Sequence, residues 1–278
     1  MPTPGKPARH REIAAELPST RPALLPPGDL LTSRPPDAAA QTSHLPDIWV
    51  ANYEDEMFAL YRNDGDAFFL HVSQPAGVTA LGQLFVGFGT ACMDFERDGD
   101  EDIVVANGHV IKYPRAASRR QRALYLENHQ GQFHRATFPP ESYFDRHHEG
   151  RGLAVADLDN DGDLDLAISH LNDPIALLRN ECQEESWLGV QLIGVCSNRG
   201  SIGARLTLQT DKGILMRQIK GGGSHLSTSD PSVFWGLAEG AHVENLTIHW
   251  PGGKTQVIVS PETRHVLTVV EPVNDEDA

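Results

Sequence analysis

The segment DLDNDGDLDL, Asp157 to Leu166, sets five carboxylates on alternate positions of nine residues. Carboxylates so close repel one another, and either a bound cation or full solvation must offset that repulsion. The pattern D-x-[DE]-x-D-G-x-x-D occurs twice. In the first loop the acids are Asp94, Glu96, Asp98, Asp100 and Asp102; in the second they are Asp157, Asp159, Asp161, Asp163 and Asp165. Calcium takes about six to eight oxygens, mostly carboxylate and carbonyl, at about 2.3–2.6 Å. Acids at positions 1, 3 and 5 converge when such a loop curls. Position 7, Asp100 or Asp163, offers its backbone carbonyl, and position 9 closes the shell from the next strand. Glycine at position 6, Gly99 or Gly162, permits the positive φ that the curl needs. Each loop is expected to hold one Ca2+, two ions in all. The first site is expected to be weaker, because Glu96 is one methylene longer than Asp159 and Arg97 lies beside it. Such ions are expected to be structural staples rather than catalytic centres.

The plain alternative is an acidic turn that stays solvated, and two copies of one pattern argue against it. An EF-hand is excluded, since it requires a bidentate Glu at position 12 and flanking helices. Position 12 is Val105 in one loop and Ile168 in the other, and the flanks are strand-like. Magnesium fits less well, because it retains its waters and takes few carboxylates.

These loops belong to a repeat. CMDFERDGDEDIVVANG (92–108) matches VADLDNDGDLDLAISHL (155–171) at a constant offset of 63 residues. PDIWVANY (46–53) resembles EDIVVANG (101–108), which sets Asp47 where Asp102 and Asp165 stand, without an acidic loop before it. A second element follows each copy: LYRNDGDAFF, YLENHQGQFH and LLRNECQ, in which Asn63, Asn128 and Asn180 align. The apolar runs between turns are short and rich in Val, Ile and Leu, hence strands. The unit is strand, acidic loop, strand, connection, strand, Asn-containing turn, strand. Four short strands per repeat is the unit of a β-propeller blade. Helical repeats are argued against by the absence of a 3.6-residue period. The expected organisation is a disordered leader over 1–45 and partial propeller repeats over 46–183. The repeats comprise a partial blade at 46–80 and repeats at about 82–145 and 150–183. Two good repeats and a partial one read as the tail of a longer propeller, or as a gene product begun inside one.

The net charge of −15 argues against nucleic acid and suits cations. No apolar run is long enough for a membrane span or a signal-peptide core. The chain is read as cytoplasmic unless its export signal lies outside this sequence. Three cysteines, Cys92, Cys182 and Cys196, are too sparse for a disulfide framework and show no zinc spacing, though Cys182 and Cys196 could be bridged.

From Glu184 the repeat stops. Seven strand-like runs separated by Gly-rich and polar turns fill residues 184–271, with an acidic tail at 272–278. They predict a small antiparallel sandwich or barrel. The fold class is therefore all-β: a partial propeller followed by a compact β-domain. WLGVQLIGVCSNRGSIGARLTLQTDKG, KGGGSHLSTSDPSVFWGLAEG and LTIHWPGGKTQ resemble the ASPIC/UnbV domain. RGLAVADLDNDGDLDLAISHLNDPIALLRN is similar to the FG-GAP-type (VCBS-like) repeat that precedes that domain in the cartilage acidic protein family and in bacterial relatives. The resemblance implies integrin-α-like blades, calcium in the acidic loops and an extracellular or envelope location. It implies no established enzymatic activity.

Two other stretches were weighed for chemistry. KGGGSHLSTSDPS (220–232) sets Ser224, His225, Ser227 and Thr228 beside three glycines, the makings of a sugar or anion site or of an irregular turn. YFDRHHEGRG sets His148, Glu149 and Arg151 either in a groove beside the second acidic loop or in a polar inter-blade connection. No GxSxG or HExxH is present. The reading that follows is a calcium-stabilised binding, adhesion or scaffold protein. Its partner would be a protein or glycan met by propeller loops, and open blade edges would offer a surface for self-association. The rival reading is an enzyme, a hydrolase or tailoring protein, that uses the propeller as scaffold; a truncated product without function is a third. Fold alone does not choose between binding and catalysis.

Overall fold

The computed structural model describes residues 46–182, 186–237 and 240–273. The expected leader over 1–45 lies outside these residues, as does most of the acidic tail. The described chain is almost all strand, with two short 3-10 turns at Val78–Leu81 and Tyr143–Asp145. Among the described residues no helix is long and apolar enough to cross a membrane.

The repeats form three separate antiparallel sheets. β1 (Ile48–Val50), β2 (Ala59–Gly65) and β3 (Phe68–His71) make the first. β4 (Gly87–Met93), β5 (Asp102–Asn107), β6 (Leu124–His129) and β7 (Gln132–Arg135) make a four-stranded meander. β8 (Gly150–Ala156), β9 (Asp165–His170) and β10 (Ala176–Leu178) make the third. Among the described residues only the middle one of these sheets has the four strands expected of a blade, and the first has no strand before β1. The third lacks an outer strand among the described residues, because after Asn180 the chain leaves the blade for the C-terminal part.

The middle blade is packed on both faces, and its sequence says why. All six residues of β5 are buried. Ile103 and Val105 point one way, into a core with Leu124, Leu126, Phe58 and Leu60. Val104 and Ala106 point the other way, onto Leu153, Val155, Leu166 and Ile168 of the third sheet. An unbroken apolar run is what a strand buried on both sides requires.

In the C-terminal part the seven runs become β11 (Trp187–Ile193), β12 (Arg205–Thr210), β13 (Gly213–Gln218), and, after a small hairpin β14 (Gly223–Ser224) and β15 (Ser227–Thr228), β16 (Val233–Gly236), β17 (Val243–His249), β18 (Thr255–Val259) and β19 (Val266–Val270). Two sheets, in the orders β16-β11-β19 and β13-β12-β17-β18, face each other across one core that includes Leu188, Leu206, Leu208, Trp235, Leu246 and Ile248. One pairing departs from the antiparallel expectation: β11 and β19 run parallel, since β19 returns to its sheet only after the chain has built the other. The buried Glu271 carboxylate closes the domain. It accepts the N–H groups of Val195, Cys196 and Ser197 at 2.7–2.9 Å and the Ser197 hydroxyl at 2.8 Å. Those bonds to the charged form hold its pKa below the usual glutamate value against the opposing effect of burial.

The two parts are tightly docked. The stretch 220–232 is neither a free turn nor an open ligand loop: its hairpin lies along the inner strands β4 and β8. Thr90 N–H donates to Ser224 Oγ, Val155 N–H to Ser229 Oγ, and Asp230 N–H to the Val155 carbonyl. His225 meets Phe88 edge-on at 4.9 Å. Ser224 and His225, candidates for a sugar or anion site, thus face the blade strands instead. At the other end, Trp187 lies over Gly162, where any Cβ would collide with the indole, and Gly236 lies over the first acidic loop. A Cβ on Gly236 would meet the Arg97 backbone and stand 2.6 Å from Asp94 Oδ2. Gly236→Ala is therefore expected to cost about 1–3 kcal/mol of stability, as overpacked contacts do, and to split a joint calorimetric transition into two. An unchanged thermogram would show that this contact does not hold the parts together.

Candidate metal centre

Both acidic loops fold on one backbone frame. At position 1, Asp94 accepts the N–H groups of Asp98 and Gly99 at 3.0 and 3.1 Å, and Asp157 accepts those of Asp161 and Gly162 at 3.2 and 3.0 Å. At position 5, Asp98 accepts the N–H of Asp100, and Asp161 that of Asp163. At position 9, Asp102 takes the N–H groups of Phe95 and Asn128, and Asp165 those of Leu158 and Asn180. Position 4 has positive φ in both loops, at Arg97 and Asn160, as does the glycine at position 6. The carboxylates are thus aimed inward by amides of their own loop and of the next hairpin.

The side chains at position 7 leave the cluster. Asp100 accepts from Gln130 N–H, and Asp163 accepts from Cys182 N–H while pairing with Arg97 at 2.6 Å.

The loops then diverge. In the second, one oxygen each from Asp157, Asp159 and Asp165 lie within 4.8 Å of one another. Two oxygens about 2.4 Å from one ion can be at most about 4.8 Å apart, so this triad fits a single calcium. Asp161 sits at the rim, its Oδ2 3.3 Å from Arg179, whose Nε lies 2.7 Å from Asp159. In the first loop Tyr125, near the start of β6, intervenes. Its hydroxyl lies 2.9 Å from Glu96 Oε2 and 3.1 Å from Asp102 Oδ2, and it donates its proton between them. Here repulsion is offset by a hydroxyl proton. Burial, and then the adjoining Glu96, push the Asp102 carboxyl far above the usual range. Burial likewise raises Asp94 to about 7 and Asp163 to about 6. Asp98, Asp157 and Asp165 are also raised, with burial the largest cause. Burial thus shifts each of these acids toward its neutral form, against the opposing pull of Arg97 at Asp163.

Several partners were not legible in the residue pattern. Tyr125 precedes its acids' aligned Asn128 by three residues but gives no periodic signal. Arg97, read only as a neighbour that weakens the first site, spans to Asp163 of the second and stacks on Trp187 at 5.5 Å. The groove expected around His148, Glu149 and Arg151 is not beside the second acidic loop. Those residues stand at the start of β8, and the loop follows its far end. His148 stacks on Tyr143 at 4.4 Å, Glu149 pairs with Arg119, and Arg151 lies over Phe88 and donates to the carbonyls of Gly108, His109 and Gly150. This is a polar inter-blade connection. Cys182 Sγ meets the Glu96 carbonyl, and Cys196 Sγ lies near Lys254 Nζ.

Comparison with known proteins assigns the two parts separately. Residues 94–168 match the model of the FG-GAP-like repeat, and residues 194–276 match that of ASPIC and UnbV. Cartilage acidic protein 1 of Xenopus tropicalis is 26% identical over 287 residues, covering 83% of this chain and 43% of that protein. The Homo sapiens protein of the same name is 26% identical over 296 residues, with 85% and 43% covered. The chain thus spans less than half the length of these curated relatives. Among solved structures, a group B streptococcus pilus 2b backbone protein aligns over 81% of the chain at 8% identity with a TM-score of 0.18, too slight a likeness to carry an argument. The chain joins FG-GAP-like repeats to an ASPIC and UnbV domain.

Proposed function

We propose that this protein is a calcium-stapled binding scaffold, in which an ion at the second acidic loop fixes the third blade and the C-terminal β-domain that rests on it. The convergence of Asp157, Asp159 and Asp165 is the observation that carries this reading. The ion would supply charge neutralisation and oxygen coordination. The chain supplies the frame of amides that keeps three carboxylates facing one point. The first loop is a weaker candidate, since Tyr125 already bridges two of its acids. A binding or adhesion role, with a protein or glycan partner, is supported by loops presented on a rigid β frame. Two buried or half-buried histidines have both ring nitrogens committed within the protein: His109 to Glu54 and the Ile111 N–H, His170 to Tyr143 and the Pro174 carbonyl. That arrangement favours binding over acid–base chemistry at these residues. An extracellular location is inferred from relatives named for cartilage.

Thermal melts with calcium and with chelator test the reading. Asp159 is the informative position, because its only polar contact described is the exposed Arg179, so Asp159→Asn removes a ligand charge without unpinning the loop. Calcium at about a hundred times its Kd is expected to add about 2.7 kcal/mol, raising Tm by several degrees. Asp159→Asn should lose most of that gain while melting, in chelator, no lower than the parent. Equal melting of the parent in both conditions would overturn the proposal.

The pH profile gives a second check. Asp94 and Asp163 are raised above their unfolded values, so their contribution to stability is complete at acid pH and is lost as pH climbs through about 6 to 7. The chelated protein should therefore melt lower at about pH 8 than at about pH 5.5. Burial also raises Asp157 and Asp165, two members of the converging triad, so saturating calcium at the second loop should reduce that slope by holding these two ionised, leaving the part due to Asp94 and Asp163. A slope untouched by calcium would mean that no ion is held by Asp157 and Asp165.

A further inference from the structure

The outer side of the middle blade carries a cleft of ≈ 250 Å3 between the open end of the β6–β7 hairpin and the 3-10 turn Tyr143–Asp145. Its floor is aromatic: Phe138 and Phe144 stack at 4.3 Å, and Tyr125 stands edge-on to both at 5.9 and 6.0 Å. Its walls carry two arginines, Arg122 and Arg135. Arg122 is matched: it pairs with Asp145 Oδ1 at 2.9 Å and donates to the Asp145 carbonyl. The contact described for Arg135 is different in kind, a stack over Phe85 at 5.7 Å, with no carboxylate among the described residues. In a chain of net charge −15, Arg135 lines the cleft with its guanidinium over Phe85, outside the lining, while the acid of the cleft, Asp145, is matched to Arg122. Burial, and then the Arg122 charge, lower the Arg135 pKa, so its surroundings disfavour the cation it carries.

We propose that this cleft binds a small monoanionic ring compound, its carboxylate or sulfate gripped by Arg135 and its ring set against Phe138, which the buried Tyr125 and Phe144 rings back from behind. The chemistry follows from the lining. A guanidinium fork takes a carboxylate or sulfate through two parallel N–H bonds. With Asp145 matched to Arg122, the net charge left over is that of Arg135 alone, which suits one negative charge and not a polyanion. Phe138, half-buried, takes the flat apolar face of a ring, and Thr137 also lines the cleft. The volume lies below the range of drug-sized sites and suits a single ring. The ring could belong to an acidic sugar or to an aromatic acid; the charge and size are common to both. The cleft shares Tyr125 with the first acidic loop but involves none of the second loop's carboxylates, so it does not rest on the calcium reading.

Titration calorimetry and saturation-transfer NMR on the full chain would test it, with glucuronate, benzoate, inorganic sulfate and neutral glucose as probes. Saturable binding of glucuronate or benzoate is expected, with sulfate alone weaker and glucose at least about tenfold weaker. Preference between the two ring acids assigns the source. Arg135→Gln should weaken the better acid about tenfold or more, and Arg135→Lys less, because a point charge keeps the attraction but loses the fork. Raised salt should weaken binding in the parent. Arg135 is exposed, so a matching far-UV spectrum and Tm would show the variants folded. Glucose binding as well as glucuronate, Arg135→Gln binding as the parent does, or no saturable binding of any anion up to about 50 mM would each overturn the proposal.

Discussion

An aspartate at the mouth of a central strand holds each blade in register. Asp47, Asp102 and Asp165 each accept, through Oδ1, the main-chain N–H of an asparagine in the hairpin that follows: Asn63, Asn128 and Asn180, at 2.8–2.9 Å. In the first two blades the same asparagine returns its side-chain amide to the residue before the aspartate, Pro46 or Glu101. The bond extends each ladder, β1–β2, β5–β6 and β9–β10, past its last paired residues. A hydrogen bond of this kind contributes about 0.5–1.5 kcal/mol, more where the acceptor is ionised. It also sets where the other oxygen of the carboxylate lies, and so where an acidic loop can close. The first blade keeps the latch without the loop, which shows that the two devices are separable.

In the third blade the asparagine changes allegiance. Asn180 sends its amide to the Phe95 carbonyl of the preceding blade at 2.7 Å. Around that bond the acidic loops, the blades and the C-terminal domain meet. Arg97 of the first loop pairs with Asp163 of the second and lies under Trp187 of β11; Trp187 in turn covers Gly162. Arg217 of β13 reaches Glu101 at 2.8 Å. The C-terminal domain therefore reads the geometry of both loops directly. Its hairpin along β4 and β8 covers strand edges that would otherwise be open to pairing.

The two loops illustrate how one sequence pattern meets two fates. Their backbones coincide bond for bond, yet only the second gathers its carboxylates around a point. The difference comes from outside the pattern. Tyr125 enters the first from β6 and supplies a proton donor where a cation would otherwise be needed, while the residue at the matching place in the third blade, Leu177, has none to offer.

Much of this was legible in the residues themselves. The constant offset between Asp102 and Asp165, and its echo at Asp47, fixed the strand starts, because a blade repeats its hydrogen bonds at repeated positions. Alternating and continuous apolar runs located nearly every strand, since burial on one or both faces dictates those patterns. Positive φ at the loop glycines followed from what only glycine adopts at no cost. What the residues left undecided depends on groups far apart in the chain. Arg97 and Asp163 are paired, Trp187 sits on Gly162, Tyr125 reaches Glu96, and Ser224 and Ser229 bond to blade edges, all across tens of residues with no spacing rule. The parallel return of β19 beside β11 is of the same kind. Local sequence sets backbone conformation and which face is apolar; which charge finds which partner is settled only when sheets stack, because side-chain reach is short and stacking alone brings those ends within it.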